Sequence, residues 1–191
     1  MDIEALSLSG VMRLKPARHG DARGWFSETW SARSLESAGI TTTFVQDNVS
    51  YSAAVGTVRG LHYQAPPSAQ AKLVMVLNGA IRDAVVDVRV GSPTYGRWLA
   101  VDLTAEGGEQ LLVPEGYLHG FVTTQPDTRV LYKVSAPYDP AADGAVRWDD
   151  PDLGIDWGID PATAVVSAKD AAAPAFRDWT SPFKIRAWSD A

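Results

Sequence analysis

Runs of β-branched and aromatic residues recur along most of this chain, separated at short intervals by Gly, Pro, Asn and Asp. Runs of this length and composition, punctuated in this way, predict strands. They fall near 43–47, 56–64, 72–77, 80–89, 97–103, 110–113, 120–124 and 128–135. The Asn78-Gly79 pair lies between two apolar runs and predicts a type I′ hairpin, because both residues accept positive φ. Gly91-Ser92-Pro93 and Ala105-Glu106-Gly107-Gly108 predict further turns. Helix is scarce. The best stretch is 31–38, where Ser31 can cap the start and Gly39 suits the end. Short strands at regular spacing predict an all-β sandwich or jelly-roll barrel. Beyond about Ala136 the pattern loosens into Pro, Asp and Trp, which predicts loops and short peripheral helices lying over the barrel. The tail 171–191 adds Phe176, Trp179, Phe183 and Trp188, with no role evident from the sequence. No repeat, charge block or low-complexity linker divides the chain, so a single domain over 1–191 is expected.

Composition narrows the function. The apolar content of 46% and charged content of 21% are ordinary for a globular protein of 191 residues. A net charge of −6 offers no overall positive field to recruit nucleic acid, yet leaves room for a local basic pocket around one phosphorylated ligand. No cysteine is present, which removes disulfides, thiolate nucleophiles and Cys-ligated metals. The N-terminus lacks the basic and apolar regions of a signal peptide, and no apolar run approaches a membrane span. A cytoplasmic protein with no membrane or nucleic-acid partner is the expectation.

Three histidines occur, at 19, 62 and 119. His62 is the most informative, because Arg59 precedes it by three residues and Lys72 follows by ten. A neutral imidazole can take a proton near neutral pH, while two cations can hold an anionic substrate and a developing oxyanion. Strict strand alternation sets Arg59 and His62 on opposite faces, so both reach one pocket only if Gly60 marks a bulge or bend. Four other segments carry polar residues that core packing does not require. Asp21-Ala22-Arg23-Gly24-Trp25-Phe26-Ser27-Glu28 combines an arginine suited to a diphosphate with aromatics that can stack on a base, and reads equally as a solvated turn. Gln46-Asp47-Asn48-Val49-Ser50 is dense in hydrogen-bonding groups and reads equally as a turn. Pro114-Glu115-Gly116-Tyr117-Leu118-His119-Gly120-Phe121 flanks a histidine with glycines that permit close approach. In Val130-Leu131-Tyr132-Lys133-Val134-Ser135 the tyrosine reads as core or rim. A metal centre in such a barrel needs several His or Glu ligands, commonly opening with two histidines one residue apart. Here the run is His62-Tyr63-Gln64, and the neighbouring Arg59 and Lys72 repel a cation.

The motifs together resemble the dTDP-4-dehydrorhamnose 3,5-epimerase family. The resemblance runs through Asp21-Ala22-Arg23-Gly24-Trp25-Phe26, Gln46-Asp47-Asn48, Arg59-Gly60-Leu61-His62-Tyr63-Gln64 and Lys72-Leu73-Val74. It continues through Gly116-Tyr117-Leu118-His119-Gly120-Phe121, Leu131-Tyr132-Lys133, Arg147-Trp148-Asp149-Asp150-Pro151 and Ser167-Ala168-Lys169-Asp170, covering nearly the whole chain in order. It implies a metal-free, cofactor-free cupin-like jelly roll (a double-stranded β-helix), usually a homodimer in which N-terminal strands cross to the partner. It implies His62 as base oriented by Asp170, Tyr132 as acid on the opposite ring face, and Lys72 at the enolate oxygen. It also implies nucleotide-sugar contacts from Arg23, Phe26, Glu28, Gln46, Asp47, Asn48, Arg59, Lys72, His119 and Lys169, with Tyr138 on the thymine side. Asp143 stands where the family pattern has a glutamate, a shorter carboxylate at that contact.

The chemistry agrees with the residues taken alone. A C–H beside a ketone is acidic only if the enolate oxygen is stabilised as the proton leaves. Inversion then needs a base on one face and an acid on the other, with no redox group. The implied reaction is epimerisation of dTDP-4-dehydro-6-deoxy-D-glucose at C3 and C5 to dTDP-4-dehydro-L-rhamnose. A mono-epimerase acting at C3 or C5 only is the nearest rival, since small shifts in ring placement decide between them. A non-catalytic sugar-nucleotide-binding cupin and a metal-dependent cupin oxygenase are rivals of other classes.

Overall fold

The computed structural model describes residues 1–185, so Trp188 lies outside the described residues. Among the described residues thirteen strands are formed. The first six are β1 (Asp2–Ala5), β2 (Met12–Lys15), β3 (His19–Asp21), β4 (Gly24–Phe26), β5 (Gln46–Ser52) and β6 (Val58–Gln64). The rest are β7 (Lys72–Asn78), β8 (Ala80–Asp87), β9 (Trp98–Thr104), β10 (Gln110–Val113), β11 (Tyr117–Thr123), β12 (Thr128–Val134) and β13 (Asp143–Ala145). Helix α1 (Ala32–Glu36) follows β4 and helix α2 (Ala168–Ala171) follows β13. Ser31 and Ser167 each cap one of them through the side-chain oxygen. No described helix is long and apolar enough to cross a membrane.

Two sheets carry the fold, ordered β1-β2-β10-β7-β12-β5 and β13-β6-β11-β8-β9, with β3 and β4 forming a separate ribbon. The fold is the expected cupin-like β sandwich with few, short helices. Its interior is lined by Val74, Val76 and Val130 from the six-stranded sheet and by Ile81, Val85 and Phe121 from the five-stranded one. A second core, with Val58, Leu61, Ala84, Val86, Leu118 and Val122, covers the outer face of the five-stranded sheet. The chain's end supplies that cover. Phe183 is buried there, Phe176 and Trp179 pack beside it, and Trp179 Nε1 donates to the Tyr63 hydroxyl at 2.9 Å. A third core beneath α1 joins Leu35 and Ile40 to Leu14, Leu73 and Leu112.

The Asn78-Gly79 expectation is overturned. Strands β7 and β8 lie in different sheets, β7 between β10 and β12 and β8 between β11 and β9, so the dipeptide is a corner rather than a hairpin. Of the two residues only Gly79 has a positive φ, +79°, and a Cβ there would sit 2.3 Å from Thr128 Oγ1. Glycine is needed for close approach at the corner, and two fully apolar runs do not reveal that their edges pair elsewhere. The strand expected at 43–47 instead covers Gln46–Ser52, and that expected at 120–124 covers Tyr117–Thr123. In the turn after β8, buried Asp87 accepts from Arg89 Nε at 2.9 Å and Nη2 at 2.7 Å, and from the Ser92 and Thr94 hydroxyls, each at 2.6 Å.

Candidate active site

A cavity of about 400 Å³ opens between the layers, a size suited to a small ligand. Its walls include Arg59, His62, Lys72, His119, Phe121, Tyr132, Lys169 and Asp170. A second recess of about 170 Å³ adjoins it, lined by Gln46, Asn48, Gln64, Tyr138 and Asp143. His62, Lys72 and Tyr132 line both, so the two spaces form one cleft with this trio at its waist.

The backbone explains how Arg59 and His62 share the cleft. Arg59 pairs with Phe121 and His62 with His119, so Gly60 and Leu61 together oppose Gly120 alone. This is a β-bulge, and its extra residue restores both side chains to one face. Gly60 adopts φ +139°, and a Cβ on it would lie 2.5 Å from Gly120 Cα. The bulge expected from the sequence is therefore present and depends on glycine. Arg59 is held at the wall by Ser52 Oγ at 3.2 Å and the Tyr51 carbonyl at 2.8 Å.

The titratable groups differ sharply in environment. His62 Nε2 stands 2.7 Å from Asp170 Oδ1, which leaves Nδ1 as the nitrogen away from the carboxylate. Burial works to raise the Asp170 carboxyl, but the bond and charge of His62, with donors from Gly60 and Ser167, outweigh it and leave Asp170 below the usual carboxylate range. Burial lowers the Lys72 ammonium to about 8, although the charges of Asp83 and Asp143 oppose the shift. Burial also raises the Tyr132 phenol, partly offset by Arg59, so it stays protonated at neutral pH. His119 is pushed down, chiefly by burial, against the pull of Asp83, whose Oδ1 is 2.8 Å from its Nε2. The cleft thus combines a carboxylate-backed imidazole, a protonated phenol and a half-buried cation.

Several expected residues gather here. At the outer recess Gln46 Nε2 donates to Asn48 Oδ1 at 2.9 Å, and Tyr138 donates its hydroxyl to Asp143 Oδ2 at 3.0 Å. Lys169 pairs with the same Asp143 oxygen. Gln64, where a metal cupin would place a histidine, donates to the carbonyls of Ser68 at 2.7 Å and Pro137 at 3.2 Å. It also accepts from the Asp139 amide at 2.9 Å, so its amide ties two loops together. Among the described residues no group of three or more His, Asp or Glu is placed to hold a metal ion.

Four expected contacts are not brought to the cleft of their own chain. Asp47 alternates away from Gln46 and Asn48 along β5 and pairs with Lys133 at 2.9 Å on the outer face. Arg23 and Phe26 belong to the exposed β3–β4 ribbon, where Arg23 Nη2 bonds Asp21 at 2.5 Å. Glu28 accepts from the Ser34 hydroxyl at 3.1 Å beside α1. The sequence reading missed Asp83, fully buried in the middle of β8. Its signal is a carboxylate in phase with Ile81 and Val85 on a core face, where an apolar residue is the norm.

Comparison with known proteins adds an independent line. Residues 5–178 match the sequence profile of the family described as dTDP-4-dehydrorhamnose 3,5-epimerase. A curated protein of that name from Sinorhizobium fredii is 47% identical over 178 residues, covering 91% of this chain and 89% of its own. The crystal structure of a dTDP-4-dehydrorhamnose 3,5-epimerase from Bacillus anthracis, with TDP and PPi bound, is 44% identical with a TM-score of 0.88, covering 91% of this chain and 98% of that one. A dTDP-6-deoxy-D-glucose-3,5-epimerase from Legionella pneumophila, in complex with dTDP-4-keto-L-rhamnose, is 37% identical with a TM-score of 0.92 and covers 97% and 99% of the two chains.

Proposed function

This chain belongs to the dTDP-4-dehydrorhamnose 3,5-epimerase family, and we propose that its cleft inverts C3 and C5 of dTDP-4-dehydro-6-deoxy-D-glucose to give dTDP-4-dehydro-L-rhamnose. The observation that carries this is the waist of the cleft, where His62 with Asp170 comes from one sheet and its end-cover, and Lys72 and Tyr132 from the other sheet. His62 Nδ1 removes the proton beside the ketone, and Asp170 holds the ring and supports its charged form. The Lys72 ammonium stabilises the enolate oxygen as negative charge forms there, at a half-buried position where a preorganised cation counts for more than in water. Tyr132, protonated at neutral pH, returns a proton to the opposite face. The ketone that activates C3 also activates C5, so one trio serves both carbons without metal or redox cofactor.

Arg59, His119 and Lys169 supply cationic and polar contacts around the diphosphate and sugar, and Gln46, Asn48, Tyr138 and Asp143 form the nucleoside end. Arg23, Phe26 and Glu28 reach a cleft only in a homodimer, the β3–β4 ribbon of one chain extending to its partner. Support comes from Trp25 and Phe26, 59% and 71% exposed, and from Val49, Tyr51 and Leu77, all exposed on the outer face of the six-stranded sheet. Apolar surface of this kind marks an interface. A monomer mass by light scattering would remove that part of the reading.

The reaction is tested by NMR of the 4-keto sugar nucleotide with the protein in deuterated water. Deuterium entering at both C3 and C5 with inversion is expected. Exchange at a single carbon would assign a mono-epimerase, and no exchange would sink the catalytic reading.

A further inference from the structure

Asp83 has no part in the mechanism above, yet its position is costly for a carboxylate. It is fully buried, and it projects from β8 into the interior in phase with Ile81 and Val85. Its strand pairs it with Phe121 on one side and Val101 on the other, so neither neighbour offers a charge. Among the described residues no arginine or lysine lies within ion-pair distance of it, and neither oxygen accepts a well-aligned hydrogen bond. His119 Nε2, at 2.8 Å, is close but poorly aligned, and burial holds its imidazole towards the neutral form, so it does not supply the missing positive charge. A buried carboxylate left in this state destabilises a fold unless a nearby cation offsets it.

The interior supplies one. Lys72 opens β7 and projects in phase with Val74 and Val76, which line the same space as Ile81 and Val85 from the facing sheet. The titratable and charged groups bordering it are His62 and Arg59 on β6, His119 on β11, Tyr132 on β12, Asp143 on β13, Lys169 and Asp170 on α2, and Asp83 on β8. Asp143 already bonds Lys169 and Tyr138, and Asp170 already bonds His62. Asp83 is left as the carboxylate with no other cation to answer.

We propose that Asp83 is a positioning residue of the epimerase site, the buried counter-charge that keeps Lys72 cationic at the place where the enolate oxygen forms. The proposal rests on the assignment of Lys72 to that oxygen. It gives Asp83 a catalytic consequence with no contact to substrate. The opposing influences on Lys72 agree with it, since burial brings the ammonium to about 8 and the charge of Asp83 is the first to resist.

Two measurements test it together. In Asp83→Asn, which preserves shape and removes charge, the high-pH limb of kcat should move down by about one unit, a tenfold change in the protonation ratio of Lys72. In parallel, melting temperatures of Lys72→Met and of Lys72→Met/Asp83→Asn are compared. Lys72→Met should be destabilised by the stranded carboxylate, and the second substitution should recover much of the loss. A uniform fall in kcat at every pH, or a double variant no more stable than Lys72→Met, overturns the proposal. If Asp83→Asn alone does not fold, the stability pair decides it without any need for activity. A wild-type protein that fails to epimerise would sink the assigned reaction instead, and the stability pair would still report on Asp83 and Lys72.

Discussion

Replacing Gly60 by alanine should damage this protein severely, because the new methyl group meets backbone rather than a side chain. Gly60 occupies φ +139°, a region that costs an L-residue about 1–3 kcal/mol. The added Cβ would also lie 2.5 Å from Gly120 Cα and 3.0 Å from the His119 carbonyl oxygen. Carbon atoms rest at about 3.5–4.0 Å, so the strands must part by roughly 1 Å. The obstacle is backbone rather than a flexible side chain, and Gly120 is itself paired to Ala84 of β8. Overpacking of this kind adds about 1–3 kcal/mol. The sum of the two ranges, about 2–6 kcal/mol, corresponds to a fall in Tm of roughly 5–20 °C for a chain of this size. Gly24→Ala is the control, because Gly24 has a similar φ of +130° but nothing within 4 Å of the new Cβ. Urea denaturation of both variants separates backbone strain from collision, and calorimetry with dTDP reports whether Arg59 still faces the cleft. If Gly60→Ala proved no less stable than Gly24→Ala, the close approach of β6 and β11 would not be what reserves this position for glycine.

His62→Asn should lower turnover by about 10²–10⁴-fold while dTDP binding and melting temperature stay near wild type; near-normal epimerisation would remove His62 from the mechanism. Tyr132→Phe should impair product formation more than solvent-deuterium wash-in, because the enolate still forms without the acid, and an equal loss of both would argue against a dedicated donor. Asp87 is brought down to about 2 despite the opposing effect of burial, by bonds from Arg89, Ser92 and Thr94. Its pKa in the fold lies below its unfolded value, so its stabilisation is present above about pH 4 and is lost as pH falls towards 2. Asp87→Asn should therefore cost about 2 kcal/mol at pH 7 and little at pH 2, as read by urea denaturation at the two pH values.

The central strands were legible because their chemistry is local. Val58–Gln64, Lys72–Asn78 and Thr128–Val134 carry β-branched or aromatic residues between turn residues, and they lie within two residues of their expected limits. Strands β1 to β4 are three or four residues long, too short to show a pattern, and they are fixed by pairing with distant β10 or with one another. Nothing within such a segment announces a partner about a hundred residues away. The Asn78-Gly79 corner failed for a related reason, since a turn signal does not say whether the strands it joins share a sheet. At the site, the meeting of His62, Lys72, Tyr132 and Asp170 in one cleft was legible through the family resemblance, and the Gly60 bulge through simple alternation. Asp47 was misplaced because it sits between two residues that do face the cleft, and the period of two turns it outward. Asp83 needed only the question of why a carboxylate should stand in phase with Ile81 and Val85.

His62 and Tyr132, the proposed base and acid, stand on different layers of one sandwich, and the consequence concerns fidelity rather than speed. Facing sheets lie about 10 Å apart, a distance set by the side chains that interdigitate between them. A sugar ring held in that gap is a slab whose two faces meet different walls, so the direction of proton delivery is written into the thickness of the core and needs no moving segment to choose it. Val74, Val85 and Phe121 are then part of the stereochemical gauge, although none carries a proton. Trimming one of them should loosen the choice of face, and raise the share of protons returned to the side they left, before it weakens the grip on the nucleotide.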